Sequence, residues 1–362
     1  MEIFSHHPLF KFNTFGINVF AREFAEVDSD EQLLQIINNN LNHSKKILLL
    51  GGGSNILFTG DFDGLVIKIS TKGIEVIKED TTEVEVRVAA GEDWDGLVQY
   101  CVDRGWGGLE NLSGIPGQVG SSPIQNIGAY GAELKDNLVS LEAINRCTGE
   151  TIHYDAKMCQ FGYRDSIFKR ALKGRVIITH VVFRLQKKPV FNLAYQALKQ
   201  RLEHLPENEI SLLHIREAVL QIRSSKLPDP SVIGNAGSFF KNPVVNHSML
   251  EELKVKFPWI VYFESSSLTP FNPLPPIPPL QLERGTGGEA GANFKLAAGW
   301  LIEQCGWKGF RTGDAGVHKD QALVLVNYGK ATGMEILDLA ARIQRSVKEK
   351  FGVDLEREVN VV

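Results

Sequence analysis

Cysteine is scarce in this chain of 362 residues: there are four, at positions 101, 147, 159 and 305. They are scattered, with no C-x-x-C, which excludes a disulfide framework and a zinc ribbon and leaves reduced thiols as the expectation. The nine histidines include the pair His6-His7 but no H-x-x-x-H, so no metal site is expected. No run of about 18 apolar residues could span a bilayer, and no basic region followed by an apolar core and a cleavage site stands near the start. The chain is therefore expected in the cytoplasm, off the membrane. An excess of one charge is missing too: 39 Lys and Arg stand against 43 Asp and Glu, a net charge of −4, which argues against a nucleic-acid partner.

Glycine is plentiful, at 34 residues, and three segments concentrate it. Gly114-Ile-Pro-Gly-Gln-Val-Gly-Ser-Ser-Pro-Ile-Gln-Asn-Ile-Gly-Ala-Tyr-Gly131 has neither helical nor strand periodicity. A backbone without Cβ atoms can turn its amides onto a large flat or anionic group; the plainer reading is a surface turn cluster. In Leu48-Leu-Leu-Gly-Gly-Gly-Ser-Asn-Ile-Leu57 an apolar strand runs into three glycines, an arrangement suited to cradling phosphate. It is neither G-x-x-x-x-G-K-[ST] nor G-x-G-x-x-G with a following acid, which disfavours a P-loop and a Rossmann unit. The third segment, Gly234-Asn-Ala-Gly-Ser-Phe-Phe-Lys-Asn-Pro243, sets Ser238 between glycine and two aromatics.

With 43% hydrophobic and 23% charged residues, the chain suits two or three soluble domains. Asp28-Ser-Asp-Glu31 signals a helix start, with Leu33, Leu34 and Ile37 as its stripe, ahead of a strand over 47–50. Strands are read over 65–69, 74–77 and 84–88, the last two as a hairpin across Glu79-Asp-Thr-Thr82. Asp93 caps a helix with the stripe Leu97, Val98, Cys101 and Val102, ended by Gly105. More strands follow between Leu138 and Leu185. Past about 190, charged helical sequence over 194–202 and 210–222 marks a domain boundary. Thr332 caps a helix with the stripe Ile336, Leu339, Ile343 and Val347, stopped by Gly352. The last ten residues read as a strand with Leu355, Val359 and Val361 on one side and Glu356, Glu358 and Asn360 on the other. Residues 265–293 are Pro-rich and read as a surface excursion, either a solvated insertion or a partner motif.

Together, in this order, the three glycine segments resemble the UDP-N-acetylenolpyruvoylglucosamine reductase family, flavoenzymes of bacterial peptidoglycan precursor synthesis. The resemblance runs from Asn13-Thr-Phe-Gly16 through Leu227-Pro-Asp-Pro230 and Lys295-Leu-Ala-Ala-Gly-Trp-Leu-Ile302 to Leu355-Glu-Arg-Glu-Val359. It implies an α+β fold: a two-part FAD-binding domain of the vanillyl-alcohol-oxidase (PCMH) type over 1–190, split near 70, then an α+β substrate-binding domain over 191–352 and a C-terminal strand over 353–362. Family members cross 265–293 with a short loop bearing a Tyr-Pro and Asp-Gly signature. This chain lacks it, so no substrate contact is carried over there.

The implied reaction reduces an enolpyruvyl ether of UDP-N-acetylglucosamine to the lactyl ether of UDP-N-acetylmuramate, with NADPH as reductant and non-covalent FAD. An electron-rich double bond accepts hydride poorly, so charge building on the carboxylate must be stabilised and an acid positioned. By resemblance, Ser238 is the proton donor, Arg164 in Phe161-Gly-Tyr-Arg-Asp-Ser166 holds the carboxylate, and Glu358 assists. From residue type alone, Ser238 would be a turn residue and Arg164 a surface cation beside Asp165. Alternation does not separate Glu358 from Glu356; only the motif chooses. An unpaired acid near a carboxylate is expected to have a raised pKa.

FAD contacts are expected from Gly51, Gly52, Gly53, Ser54 and Asn55 at the diphosphate, and from Ser121, Ser122 and Ile127 near the ring. Substrate contacts are expected from Tyr130, Tyr195, Lys226, Asn242, Lys308 and Gln321, with Tyr195 marking the subgroup that bears a tyrosine on a lid loop. The expected partner is a UDP-sugar, with no nucleic acid and no membrane, and the chain is expected as a monomer. Two other readings are kept: a flavin oxidase of the same fold, and a UDP-sugar-binding regulator without catalysis.

Overall fold

The computed structural model describes residues 2–40, 46–264 and 293–362. The Pro-rich excursion expected over 265–293 therefore lies, but for Asn293, outside the described residues.

The first sheet holds Phe4–Pro8, Phe20–Val27, Phe62–Ile69 and Ile47–Leu50 in that spatial order. Its first pair is antiparallel and the other two are parallel. A parallel pairing needs a crossover, and helix Asp30–Asn40 supplies one, burying Leu33, Ile36 and Ile37 against Leu65 and Ile67. Leu34 of the expected stripe is only partly buried.

The second sheet is antiparallel, ordered Thr151–Asp155, Leu138–Asn145, Val176–Gln186, Glu83–Ala89 and Ile74–Glu79. Its hairpin falls where the alternation of Val84, Val86 and Val88, all buried, places it. Helix Trp94–Asp103 covers one face; the Asp93 carboxylate accepts from the Gly96 amide, and Leu97, Val98, Cys101 and Val102 face inward.

The two halves meet at glycines. A Cβ on Gly52 would stand 3.0 Å from the Gly117 Cα, and one on Gly120 would stand 2.5 Å from the Ala90 Cβ. These glycines thus serve close approach of backbone to backbone as well as to any ligand.

Helices Gln196–Leu202 and Leu212–Lys226 follow, each starting two residues later than the sequence suggests. Tyr195 sits at the N-cap of the first, and Ser211 caps the second by accepting from the His214 amide. A third sheet joins Gly234–Ser238, Val324–Asn327, Ala315–Val317 and Arg311–Thr312; a fourth joins Val244–Asn246, Asn293–Leu296 and Tyr262–Glu264. Helix Gly333–Phe351 begins with a reciprocal Thr332/Glu335 capping box and ends at Gly352 with φ 71°. Its stripe of Ile336, Leu339, Ile343 and Val347 is fully buried.

One apolar core runs through the first sheet and the C-terminal elements, joining Leu9, Phe15, Phe24 and Phe58 to Phe239, Phe240 and Leu339. Asn13-Thr-Phe-Gly16 stitches this junction. The Thr14 amide donates to the Gly53 carbonyl at 3.1 Å, the Thr14 carbonyl accepts from the Asn235 amide at 3.0 Å, and the Phe15 carbonyl accepts from the Asn327 side chain at 2.9 Å.

The last ten residues differ from the continuous strand expected. Only Asn360–Val361 are regular, parallel to Ile56–Leu57, and Arg357 makes an isolated bridge to Phe240. Leu355 and Val359 are buried, but Val361 is 36% exposed. The segment changes partner midway, from the Ser238 loop to the strand after the three glycines, and strict alternation ends at that change. No helix among the described residues is long and apolar enough to cross a membrane.

Candidate active site

A cavity of about 2390 Å³ lies where the two halves of the N-terminal region meet the C-terminal elements. Gly51, Gly52, Gly53, Ser54 and Asn55 line it, as do Ser121, Ile127, Tyr130, Arg164, Tyr195, Lys226, Ser238, Asn242, Gln321 and Glu358. Two expected residues are placed otherwise. Ser122 is buried and its hydroxyl donates to the Val119 carbonyl at 2.6 Å, closing a 3-10 turn beneath the cavity wall. Lys308 is exposed, pairs with Glu303 at 3.0 Å, and does not line the cavity.

Three distant segments bring Arg164, Ser238 and Glu358 to one cavity. Arg164 occupies the left-handed region, φ 52°, in a turn closed by Gly162 and Asp165. Its Nε lies 3.2 Å from Glu358 Oε1, with side chains only 25% and 13% exposed. That Nε has no aligned hydrogen bond, so the contact is one of charge rather than a formed fork. Asp165, its neighbour in sequence, pairs with Arg170 at 2.9 Å. The unpaired acid expected at 358 is corrected, since Glu358 faces Arg164.

Ser238 ends its strand after an irregularity in register between Asn235 and Ser238, with Gly237 at φ 70°. The Asn235 side chain accepts from the Gly237 amide at 2.9 Å, and the Phe239 amide donates to the Leu323 carbonyl at 2.8 Å, fixing both sides of the serine. Glu358 hangs from the same loop, its amide donating to the Phe239 carbonyl at 2.8 Å. Its other neighbour is the triple-glycine segment, where the Asn360 amide donates to the Asn55 carbonyl at 3.2 Å. The structure separates the two glutamates that alternation left equivalent. Glu356 is 69% exposed at its side chain and bonds Lys241, while Glu358 is 13% exposed and faces Arg164.

Sequence reasoning missed several cavity groups. Arg223 follows Ile222, the last buried residue of helix Leu212–Lys226, and is itself half-buried; desolvation pulls its guanidinium below the ordinary value, with Tyr130 opposing by charge and by a hydrogen bond. A signal existed, because Arg216 and Arg223 are seven apart on that apolar face, and Arg216 is only 6% exposed. Lys169 is depressed first by burial and next by Lys241, while Glu358 pulls it back up. Tyr163 lies beneath Lys295, whose Nζ stands 3.9 Å from the ring centroid, and burial pushes its hydroxyl up. Nothing in the local sequence marks Lys169 or Tyr163. At the far wall the Tyr130 and Tyr195 rings meet edge to face at 5.1 Å.

The donor set suits a dinucleotide cofactor and an anionic substrate. A strand feeds the bare backbone of Gly51–Gly53 into the cavity wall, and a side chain on Gly51 would press on the Gln118 amide oxygen at 3.1 Å. Among the described residues no cluster of His, Cys, Asp and Glu could hold a metal ion.

Comparison with known proteins agrees with this architecture. Residues 21–155 match the model of an FAD binding domain, and residues 229–362 match that of the C-terminal domain of UDP-N-acetylenolpyruvoylglucosamine reductase. The reductase of that name from Flavobacterium johnsoniae is 47% identical over 363 residues, covering 100% of both chains. The one from Pseudomonas savastanoi pv. phaseolicola is 44% identical over 361 residues, covering 100% of this chain and 99% of its own. The crystal structure of the reductase from Thermus caldophilus shares the fold with a TM-score of 0.64 at 24% identity, covering 99% of this chain and 98% of its own. The chain therefore belongs to the UDP-N-acetylenolpyruvoylglucosamine reductase family.

Proposed function

We propose that this protein reduces UDP-N-acetylglucosamine enolpyruvate to UDP-N-acetylmuramate with NADPH, in peptidoglycan precursor synthesis, and that Arg164, Ser238 and Glu358 carry the second half of the reaction. The observation that carries the reading is the convergence of these three side chains on the cavity that the triple-glycine segment also lines. FAD, when bound, supplies the hydride that passes from NADPH to the substrate. Arg164 orients the enolpyruvyl carboxylate and opposes the negative charge that develops on it, a task that suits a planar five-donor guanidinium. Glu358, already beside Arg164, assists at the same carboxylate by donating a hydrogen bond when its own carboxyl is protonated. Ser238 delivers a proton to the carbon bearing it.

Gly51, Gly52, Gly53, Ser54, Asn55, Ser121 and Ile127 hold the cofactor. Tyr130, Tyr195, Lys226, Asn242 and Gln321 hold the nucleotide sugar. Neither Ser122 nor Lys308 is retained in these roles. The cavity exceeds the roughly 300–1,000 Å³ of a site for one small ligand, which supports cofactor and substrate side by side. The proposal includes a cofactor-binding region over 1–190, a substrate-binding region over 191–352 and a segment over 353–362 that completes the site. It places the protein in the cytoplasm, as a monomer.

The test is optical. Purified protein should be yellow, bleach with NADPH under nitrogen, and regain colour on adding UDP-N-acetylglucosamine enolpyruvate. Bleaching without substrate-dependent recovery would remove the reductase reading in favour of an oxidase, and protein that never takes up flavin would favour a binding module. Ser238→Ala should leave bleaching nearly intact and slow recovery by about 10²–10⁴-fold, the usual contribution of a positioned acid. Equal loss in both halves would mean that Ser238 is not that acid.

A further inference from the structure

Arg164 sits in a backbone conformation that disfavours it, and something must hold it there. A left-handed conformation brings the Cβ of an L-residue too close to the following carbonyl oxygen. Its turn is short, with the Gly162 amide donating to the Asp165 carbonyl at 2.9 Å and the Asp165 amide donating back at 3.3 Å. That turn is anchored to the glycine-rich segment at two points. The Ser166 hydroxyl donates to the Ile124 carbonyl at 2.7 Å, and the Asn126 side-chain amide donates to the Gly162 carbonyl at 3.1 Å.

Asn126 is wholly buried and is itself left-handed, φ 45°. Its amide also donates to Glu133 at 2.9 Å, and its oxygen accepts from the Lys135 amide at 3.1 Å. Two residues on, a Cβ on Gly128 would lie 3.2 Å from an Arg164 guanidinium nitrogen, so one short stretch backs both the main chain and the head group of Arg164. Ile127 and Tyr130 of the same stretch face the cavity.

We infer that Asn126 is a positioning residue for the reaction: through the Gly162 carbonyl it fixes the turn that sets Arg164 against Glu358. This rests on the role given to Arg164 above. Asparagine meets three demands at once, namely tolerance of the left-handed region, a donor for Gly162 and an acceptor for Lys135. Glycine meets only the first. Aspartate lacks the donor and would set a second carboxylate against Glu133.

The experiment follows each half-reaction in anaerobic single turnover, by flavin absorbance, in wild type, Asn126→Gly, Arg164→Ala and the double variant. Asn126→Gly relieves backbone strain while removing every side-chain bond. It should leave reduction by NADPH unchanged and slow reoxidation by the enolpyruvyl substrate about 10–100-fold, as a displacement near 1 Å of a clamping group does. In the Arg164→Ala background the same change should add little, because the group it positions is gone. If Asn126→Gly fails to retain flavin, Asn126→Asp, which keeps the bond from Lys135, should show the same split between halves.

Equal slowing of both halves, no slowing, loss of flavin in both variants, or losses that multiply with Arg164→Ala would each reduce Asn126 to a staple of the fold and overturn the inference. Arg164→Ala alone leaving reoxidation intact would instead remove the role of Arg164 and the inference with it.

Discussion

Gly53 is placed to separate two reasons for a glycine. Its φ is +65°, and a Cβ built on it would collide with the Phe12 carbonyl and stand 3.0 Å from the Asn13 Cα. Three other glycines isolate the contributions. Gly105, φ +72°, has nothing within 4 Å, so Gly105→Ala meets strain alone. Gly333, in the first turn of its helix and outside the left-handed region, would drive a Cβ into the Phe58 carbonyl, so Gly333→Ala meets sterics alone. Gly60 has neither problem.

Strain alone should destabilise by roughly 1–2 kcal/mol and overpacking alone by about 1–3 kcal/mol. Gly60→Ala should be neutral or stabilising by about 0.4–1 kcal/mol, through the unfolded state. Gly53→Ala should therefore lose about 2–5 kcal/mol, the sum of strain and overpacking, and it also displaces the carbonyl to which Thr14 bonds. The assay is urea unfolding of the flavin-free protein by far-ultraviolet dichroism, with flavin retained after gel filtration as second readout. Only Gly53→Ala should lose flavin out of proportion to its stability, because only Gly53 lines the cavity. Gly53→Ala unfolding no earlier than Gly105→Ala would refute the steric reading of the triple-glycine turn.

Three more outcomes are expected. Glu358→Gln should slow flavin reoxidation by the enolpyruvyl substrate by at least about tenfold. Glu356→Gln should leave it near wild type, since its side chain is 69% exposed, and equal effects in single turnover would erase the distinction between them. Arg216 forks onto Asp95 at 2.6 and 2.8 Å, so Arg216→Met should cost about 3 kcal/mol in denaturant titrations, the low end for a broken buried pair because Asp95 remains one-third exposed. Burial pushes the Asp95 carboxyl up, but Arg216 and the Gly114 amide together outweigh it and hold the carboxyl below the usual range, so its contribution is present above pH ~3.9 and lost as pH falls through the folded value. That acid dependence should shrink in Arg216→Met. Burial pushes the Cys101 and Cys159 thiols to about 12, so iodoacetamide at pH 8 should label exposed Cys147 first and spare those two until the protein unfolds, as peptide mass spectrometry would record.

Much of the molecule is legible locally. Asp93 and Thr332 cap helices because their oxygens meet orphan amides one turn on, and the buried stripes follow from a period of 3.6. The hairpin over 74–89 is written in alternation, and the three glycine segments fall inside the regions that match family models, 21–155 and 229–362. These depend on neighbours within a few residues, which the amino-acid order fixes by itself.

The rest needed packing. Whether Glu356 or Glu358 faces inward is decided where the final segment passes from Phe239 to Asn55, residues far apart in the chain. The left-handed turn of Arg164, the half-buried cation of Arg223 and the withdrawal of Ser122 from the cavity wall belong there too. No local rule sets them, because each depends on which distant surface takes up the hydrogen bonds and excludes the water. Sequence chose the elements and the chemical groups; the tertiary fold chose which groups meet.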